Sequence, residues 1–250
     1  MEIEILKIGI LSFISGIVCF FTAMTGAGSG LILVPLLIFS GLSPVQAIAI
    51  HKFEALWTVV SGARYYKNKQ VLTLDFLWYL ILGSIGTFLG AIYIHFISNI
   101  VLQIIIAIAI LFMPLLIIFF HKKTEEKNIK LYKRIILIIS MFFFGIYEGA
   151  FGSGNGFFIA ALFFSLIGSD ELKTVGMITV LAAFWNIIAI LTHFSFGSLI
   201  LEYALPMGIT SMIGAYFGAG YAIKLKKEFV RKVIIIISFI GGVLMLWKVF

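Results

Sequence analysis

Long apolar runs separated by short polar or glycine-rich breaks make up most of this chain. Ten runs stand out: Ile5–Met24, Leu31–Leu42, Val45–Arg64, Leu74–Ile97, Ile100–Phe120, Ile135–Glu148, Phe157–Ile167, Leu172–His193, Leu199–Ile223 and Val233–Phe250. Most approach the roughly 20 residues that a helix needs to cross a bilayer. The second, sixth and seventh are shorter, and the second and seventh cover only about half of a core about 30 Å thick. The pattern predicts an all-α integral membrane protein.

Composition excludes most other classes of protein. Apolar residues make up 62% of the chain and charged residues 12%, whereas a soluble domain carries about 25% charged residues. The one cysteine, Cys19, provides neither a disulfide framework nor a metal cluster. No Ser-His-Asp arrangement, HExxH, GxSxG or Walker motif occurs. We therefore expect no enzyme, no cofactor and no metal. The net charge of +7 comes from cations in short loops, which indicates membrane topology and not a nucleic-acid partner.

Two motifs occur twice in the same order. The glycine loop at Gly26–Gly30 reappears 126 positions later at Gly152–Gly156, and the glycine-rich segment Ile85–Tyr93 reappears 128 positions later at Ile213–Tyr221. Matches at nearly one shift indicate a duplicated chain. We divide it into an N-terminal repeat at 1–120, a basic linker loop at 121–134 and a C-terminal repeat at 135–250, with about five helical segments in each repeat.

The charges of corresponding loops predict how the repeats are related. Loop 64–69 is basic and its counterpart 194–198 is uncharged, while loop 98–99 is uncharged and its counterpart 224–232 is basic. Basic loops stay in the cytoplasm, so corresponding loops are expected on opposite sides of the membrane. This predicts an inverted repeat, as in many transporters. Loops 64–69, 121–134 and 224–232 would be cytoplasmic and both termini external.

The glycine loops precede the short segments, which leaves two interpretations. Each short segment could be the second arm of a tight pair that crosses the membrane. Alternatively, each pair forms a re-entrant hairpin with its glycine tip inside the membrane, which we favour because about twelve residues cannot span. Inversion would then bring one tip from each side towards the midplane.

Two helices that start at these tips predict an anion site. Unpaired N–H groups and the helix dipole favour anions at a helix start, and glycine allows close approach. Tight helix packing is the alternative role for glycine, and we assign it to Gly86, Gly90, Gly214 and Gly218. The loop residues predicted to bind substrate are Gly26, Gly28, Ser29, Gly30, Gly152, Gly154, Asn155 and Gly156.

Polar side chains within the apolar runs complete the candidate site. Lys52 lies within an apolar run, so its charge needs a cavity or a partner. By helical spacing, its position in the first repeat matches the helix face that carries Asn186 in the second repeat. A structural pair of Lys52 with Glu148 or with Glu54 is an equally good alternative. His51 either belongs to the site or is a packed residue, and Glu148 either carries a coupling proton or pairs with Lys52. Two residues at segment ends are expected to face solvent: Asp75 and His193.

The segments GAGSGLILVPLLIFSGLSPVQAIAIHKFEAL and FGIYEGAFGSGNGFFIAAL resemble the two signatures of the TauE/SafE sulfite exporter family, here its YfcA-like branch. That branch commonly has Asn where this chain has His51, Asp where it has Glu148, and an Asn matching Asn186. The resemblance covers both halves. It implies export of small sulfur-containing anions, such as sulfite or organosulfonates, across the cytoplasmic membrane.

The function expected from these observations is that of a secondary transporter, an exporter of a small sulfur-containing or carboxylate anion. The alternatives are a transporter of a cation or neutral metabolite and a membrane scaffold without transport. The expected partners are the small anionic substrate, the lipid bilayer, protons and a second copy of the chain in a homo-oligomer.

Overall fold

A computed structural model describes residues 2–25, 28–63, 74–119, 130–166, 171–221 and 227–249. Every regular element in these ranges is helical: α1 Glu2–Thr25, α2 Gly30–Phe39, α3 Pro44–Ala63, α4 Leu74–Tyr93 with a 3₁₀ turn at Ile94–Phe96, α5 Asn99–Phe119, α6 Leu131–Ala150, α7 Asn155–Leu166, α8 Glu171–Ser195, α9 Leu201–Tyr221 and α10 Lys227–Val249. The all-α prediction is confirmed. Gly26, loop 64–69, most of the linker at 121–134 and residues 224–226 of the last basic loop lie outside the described residues.

The described helices present an apolar surface suited to lipid. Three of them are long and apolar enough to cross a membrane, over Glu2–Ala23, Leu74–Phe96 and Lys173–Ser195. Large apolar side chains cover their outer faces and those of their neighbours; Phe13, for example, is 69% exposed. In water such a surface would aggregate. Helices α2 and α7 have 10 and 12 residues, so neither is long enough to span.

Helix α6 differs from its prediction, because the sixth segment was expected to be short and the helix has 20 residues. It begins at Leu131 and includes cations that the sequence placed in the linker. Both cations have partners. Lys133 Nζ donates to the Leu166 carbonyl over 3.4 Å, and Arg134 Nε donates to Asp75 Oδ2 over 2.7 Å. These contacts extend the helix beyond its apolar run and bring the outer ends of α6 and α7 together.

Two glycine-mediated crossings join the halves of the chain. In α4, Gly86 and Gly90 lie directly against backbone carbonyls of α6, and Gly214 and Gly218 of α9 lie in the same way against α1. The four carbonyls belong to Phe142, Ile146, Gly16 and Phe20, respectively. Gly16 precedes Phe142 by 126 positions, and Phe20 precedes Ile146 by the same number, which is the shift between the two glycine loops. The packing role predicted for the four glycines is confirmed, and each crossing combines one helix from each of the two predicted repeats.

Gly90→Ala is expected to destabilise the protein by about 1–3 kcal/mol, because the added methyl group would overlap the Ile146 carbonyl. The measurement is thermal unfolding of the purified protein in detergent. Gly9→Ala is the matched control, since nothing lies within 4 Å of a Cβ at that helical position. Equal unfolding temperatures for the two variants would contradict a tight α4–α6 crossing.

Contacts at the helix ends relate the directions of α1 and α6. The ion pair of Arg134 with Asp75 joins the starts of α6 and α4. Beyond the other end of α4, His95 Nε2 lies 3.2 Å from His193 Nδ1, near the end of α8. Helix α9 begins shortly afterwards, and its first turn is hydrogen-bonded to the first turn of α1. The corresponding helices α1 and α6 therefore start at opposite ends of the bundle. An inverted repeat requires this arrangement and stays a prediction.

Candidate functional site

The two glycine loops lie against each other. A Cβ built on Gly28 would be 3.2 Å from the backbone nitrogen of Gly154. Gly28, Gly152 and Gly154 have φ values of 79°, 80° and 81°, which only glycine adopts readily. Helix α2 starts at Gly30 with Ser29 as its N-cap residue, and α7 starts at Asn155. The starts predicted near Leu31 and Phe157 are therefore correct to within two residues, and the two helix starts belong to loops in direct contact.

A buried ion pair lies over the second loop. Lys52 is 0% exposed, and its Nζ donates to Glu148 Oε1 over 2.7 Å. Asn155 Nδ2 donates to the other oxygen of Glu148 over 3.0 Å. A Cβ on Gly152 would overlap both Lys52 Nζ and Glu148 Oε1, so the loop needs glycine there. Of the two pairs considered for Lys52, the structure contains the pair with Glu148.

Glu54 forms a second buried cluster, between α1, α2 and α3. Its side chain is fully buried, and Oε2 lies 2.9 Å from His51 Nδ1. The other ring nitrogen of His51 is 3.3 Å from Ser153 Oγ in the second glycine loop. Among the described residues, the other donors to the Glu54 carboxylate are Ser29 Oγ at 2.9 Å, Thr58 Oγ1 at 3.0 Å and Cys19 Sγ at 2.6 Å. This cluster connects the start of α2 with the second loop.

The two clusters are related through the repeat. Ser29 and Asn155 occupy corresponding positions, 126 residues apart, at the starts of α2 and α7. Each donates a hydrogen bond to a buried carboxylate, Ser29 to Glu54 and Asn155 to Glu148. The carboxylates themselves come from different helices of the repeat, α3 and α6. Equivalent donors have therefore acquired partners that are not equivalent.

Two residues of the predicted set have local or packing contacts in the described structure. The nearest neighbour of a Cβ on Gly156 would be Ile178 of α8, at 3.4 Å, which indicates packing. Asn186 is buried, but the hydrogen bond of its amide goes to Ala182 one turn earlier in α8. The loop and cluster residues Gly28, Ser29, Gly30, His51, Lys52, Glu148, Gly152, Gly154 and Asn155 come together.

His193 was predicted to face solvent, and this is wrong: the side chain is 0% exposed. It lies inside the bundle beside His95, whose ring stacks on Phe196 at a centroid distance of 4.2 Å. The residue is near a segment end in sequence, but the 3₁₀ turn and the short connection after α8 cover it. Asp75 is largely covered too, with 22% of its side chain exposed beside Arg134.

Most of the Glu54 cluster was not predicted from the sequence. Glu54 follows His51 by three residues, a spacing that puts both side chains on one helix face. That signal was present in the sequence, whereas the donors Cys19 and Thr58 come from separate turns and helices that only the folded chain brings together. Ser153 lies in the second glycine loop, but nothing in the sequence indicated that its hydroxyl contacts His51.

This region combines groups that attract negative charge with two carboxylates that occupy them. Backbone N–H groups at the two helix starts and the Lys52 ammonium attract negative charge. In the present structure the carboxylates of Glu148 and Glu54 accept from Lys52, Asn155 and Ser29. An incoming anion would have to compete with these carboxylates, and a proton on either one would weaken that competition.

A lipid-facing helical bundle with charged groups enclosed at two helix starts has the features of a membrane transporter. Residues 11–245 match the family described as Sulfite exporter TauE/SafE, and the chain belongs to that family. The protein is thus a membrane transporter, embedded in the bilayer, and not an enzyme.

Curated relatives match over nearly their whole length. The probable membrane transporter protein YfcA of Escherichia coli K12 is 27% identical over 235 residues, covering 93% of this chain and 87% of the relative. A probable membrane transporter protein of Haemophilus influenzae is 26% identical over 242 residues, covering 96% and 94%. The probable membrane transporter protein ORF9 of a Sinorhizobium species is 23% identical over 231 residues, covering 90% and 87%. No solved structure matches the chain significantly.

Proposed function

We propose that this transporter binds a small anion between the two glycine loops, near the middle of the membrane, and exports it. The observation that carries the proposal is the contact between Gly28 and Gly154, which brings the starts of two helices together. Each helix start carries about half a positive charge and several unpaired N–H groups. Lys52 adds a full positive charge beside them. An anion is the ligand that these groups attract.

The topology that we propose is inverted, with basic loops in the cytoplasm and both termini external. It is supported by the opposite starting ends of α1 and α6 and by the two crossings that follow the shift of the repeat. In this arrangement α1 and α2 enter from outside, and α6 and α7 enter from the cytoplasm. The glycine tips then meet at a depth that bulk water does not reach.

The substrates that we propose are sulfite, an organosulfonate, or a related sulfur-containing or carboxylate anion. The family description names sulfite export, and oxyanions of this kind are ligands of helix starts. A cytoplasm-negative potential drives anions outward by about 2.3 kcal/mol per charge for every 100 mV. Export therefore needs no coupled ion, whereas uptake would need one.

Glu148 is the proposed competitor of the substrate and a carrier of a coupling proton. While it is ionised, it holds the Lys52 ammonium at 2.7 Å. A proton on Glu148 would remove the negative charge that attracts Lys52 and would free the ammonium for the anion. Substrate binding and protonation of Glu148 would then favour each other.

A cation transporter is the main alternative, because two carboxylates are buried in the described region. Both already accept several hydrogen bonds, however, and Glu148 has a lysine as its partner. A cation would have to displace Lys52 and then share the site with two helix starts that repel it. The enclosed groups therefore favour an anion.

Ligand binding is tested by a thermal-shift screen of the purified protein with sulfite, thiosulfate, alkyl sulfonates and carboxylates, against choline and potassium as cations. A bound anion at 100 times its dissociation constant stabilises the folded state by about 2.7 kcal/mol. We expect at least one anion to raise the unfolding temperature while the cations leave it unchanged. Stabilisation by cations alone would favour the alternative, and no stabilisation by any compound, with no flux, would indicate a scaffold.

Asn155→Ala is expected to reduce anion flux into proteoliposomes by about tenfold. The amide holds Glu148 and lies at the start of α7, and a hydrogen bond to a charged group contributes about 1.5–3 kcal/mol. Ser165→Ala, which removes an exposed hydroxyl from the same helix, is the matched control and should keep normal flux. Equal flux for the two variants would exclude Asn155 from the site.

A further inference from the structure

The pair of Glu54 and His51 is a second buried site for charge, separate from the ion pair of Lys52 and Glu148. The Glu54 side chain is fully buried and His51 is 4% exposed. Among the described donors to Glu54, His51 is the one that can carry a positive charge, because the others are the hydroxyls of Ser29 and Thr58 and the thiol of Cys19.

The charge of this pair depends on a single proton. With a neutral imidazole, the pair carries one negative charge inside the bundle, and burying a charge without a counter-charge is unfavourable. One added proton, on the imidazole or on the carboxyl group, makes the pair neutral overall. The ion pair of Lys52 with Glu148 is already neutral and needs no proton for this purpose.

Apart from the partial charge at the start of α2, the described side chains of the neighbouring elements supply no further full positive charge to the pair. Ser29, at the start of α2, contributes a hydroxyl group, Ser211 of α9 is hydrogen-bonded to Ser15, and α5 has no charged or titratable side chain in its described residues. Lys52 is held by Glu148. The other described titratable groups that face this region are Cys19 of α1, which contacts Glu54, Lys52 of α3 and Glu148 of α6, which contact each other, and Tyr147 of α6, whose hydroxyl donates to the Ser153 carbonyl. His193 of α8 interacts with Lys52 and not with the pair.

The pair also contacts both glycine loops, where the anion is proposed to bind. Glu54 holds Ser29 at the start of α2, and His51 Nε2 is 3.3 Å from Ser153 Oγ in the second loop. A Cβ on Gly30 would overlap the imidazole ring. An anion between the loops would therefore bring a second negative charge close to Glu54. The repulsion between the two charges disappears when the pair takes up a proton.

We propose that Glu54 and His51 bind one proton from solvent together with the transported anion, in addition to any proton on Glu148. The proposal rests on the proposed anion function. With Glu148 ionised, a monovalent anion and this proton would cross as a neutral combination. Transport would then follow the concentration gradients of the anion and the proton, in place of the potential-driven export without a coupled ion. A line of small buried polar groups on one face of α1 leads towards Glu54; Ser15 Oγ there lies 2.6 Å from Ser211 Oγ, and Cys19 follows one turn later.

The first test compares the pH dependence of anion affinity in the wild type and in the double variant His51→Asn/Glu54→Gln, using the anion found in the thermal-shift screen. Linkage to one proton raises affinity by up to about tenfold for each unit of falling pH. The double variant keeps two neutral side chains that can hydrogen-bond to each other, and it should lose that part of the dependence. His95→Asn removes a histidine outside the pair and should keep it. An unchanged pH dependence in the double variant would overturn the proposal.

The second test needs no substrate. Infrared difference spectra between acidic and neutral pH record protonation of carboxyl and imidazole groups. We expect a pH-dependent band that the double variant loses and that Glu148→Gln keeps. If the double variant does not fold, His51→Asn alone takes its place and should shift that band. A complete set of wild-type bands in the double variant would exclude proton binding by the pair. Absence of anion binding at every pH would overturn the anion function and the coupling, and the spectra would still decide whether the pair binds a proton.

Discussion

Replacing Lys52 with methionine is expected to abolish anion transport and to destabilise the protein by about 3–5 kcal/mol. The substitution would leave the Glu148 carboxylate buried without its cation, and breaking a buried pair from one side has this cost. It would also remove the one full positive charge that the described structure places beside the second glycine loop. Flux in proteoliposomes and chemical unfolding in detergent measure the two effects separately.

The variant Lys52→Met/Glu148→Gln separates stability from function. It removes both charges, so most of the lost stability should return, as for other buried pairs replaced by neutral groups. Anion transport should stay absent, because the donor is still missing. Normal transport by this folded double variant would show that Lys52 has a structural role only. Recovery of neither property would indicate that the ion pair is needed for assembly of the two loops.

Gly152→Ala is expected to eliminate anion binding while the protein still inserts and folds. Its φ of 80° costs an alanine about 1–2 kcal/mol. The new methyl group would also overlap Lys52 Nζ and Glu148 Oε1, which adds about 1–3 kcal/mol of overpacking and displaces the ion pair. Ligand-induced thermal shift and the unfolding temperature without ligand are the measurements.

Gly41→Ala is the matched control for the backbone effect. Gly41 has a φ of 100°, and nothing lies within 4 Å of a Cβ at that position. It should therefore show the conformational cost of alanine without the overlap, and it should still bind the anion. If the two variants lost stability equally and both bound the anion, the space above Gly152 would not belong to the site.

The fold was predictable from sequence because membrane helices are specified mainly by their own composition. Each of the ten apolar runs became a helix in the predicted order, since a backbone in lipid must satisfy its hydrogen bonds within the segment. The start of α6 was predicted too late in the chain, because Lys133 and Arg134 resemble loop residues until their partners on α7 and α4 are known. The repeated glycines indicated close packing but could not name the partner helices.

The site was less predictable, because its composition depends on contacts between segments far apart in the chain. Lys52 had two candidate partners in the sequence, and the structure contains only one of these pairs, with Glu148, 96 positions away. The importance of Glu54 becomes visible only when α1, α2 and α3 surround it. His193 was assigned to solvent because it lies at the end of an apolar segment. The prediction failed because the sequence does not show that a turn covers the side chain.

The two glycine crossings restrict how such a molecule can alternate between inward and outward access. They attach α1 to α9 and α4 to α6 through contacts between glycines and backbone carbonyls, so each tightly joined couple mixes the first repeat with the second. Rocking one sequence half against the other would have to pull both couples apart. A motion of α1 with α9 against α4 with α6 leaves both intact. The mobile units of the transport cycle would then each combine helices of both predicted repeats, and each unit would carry one glycine tip of the proposed site.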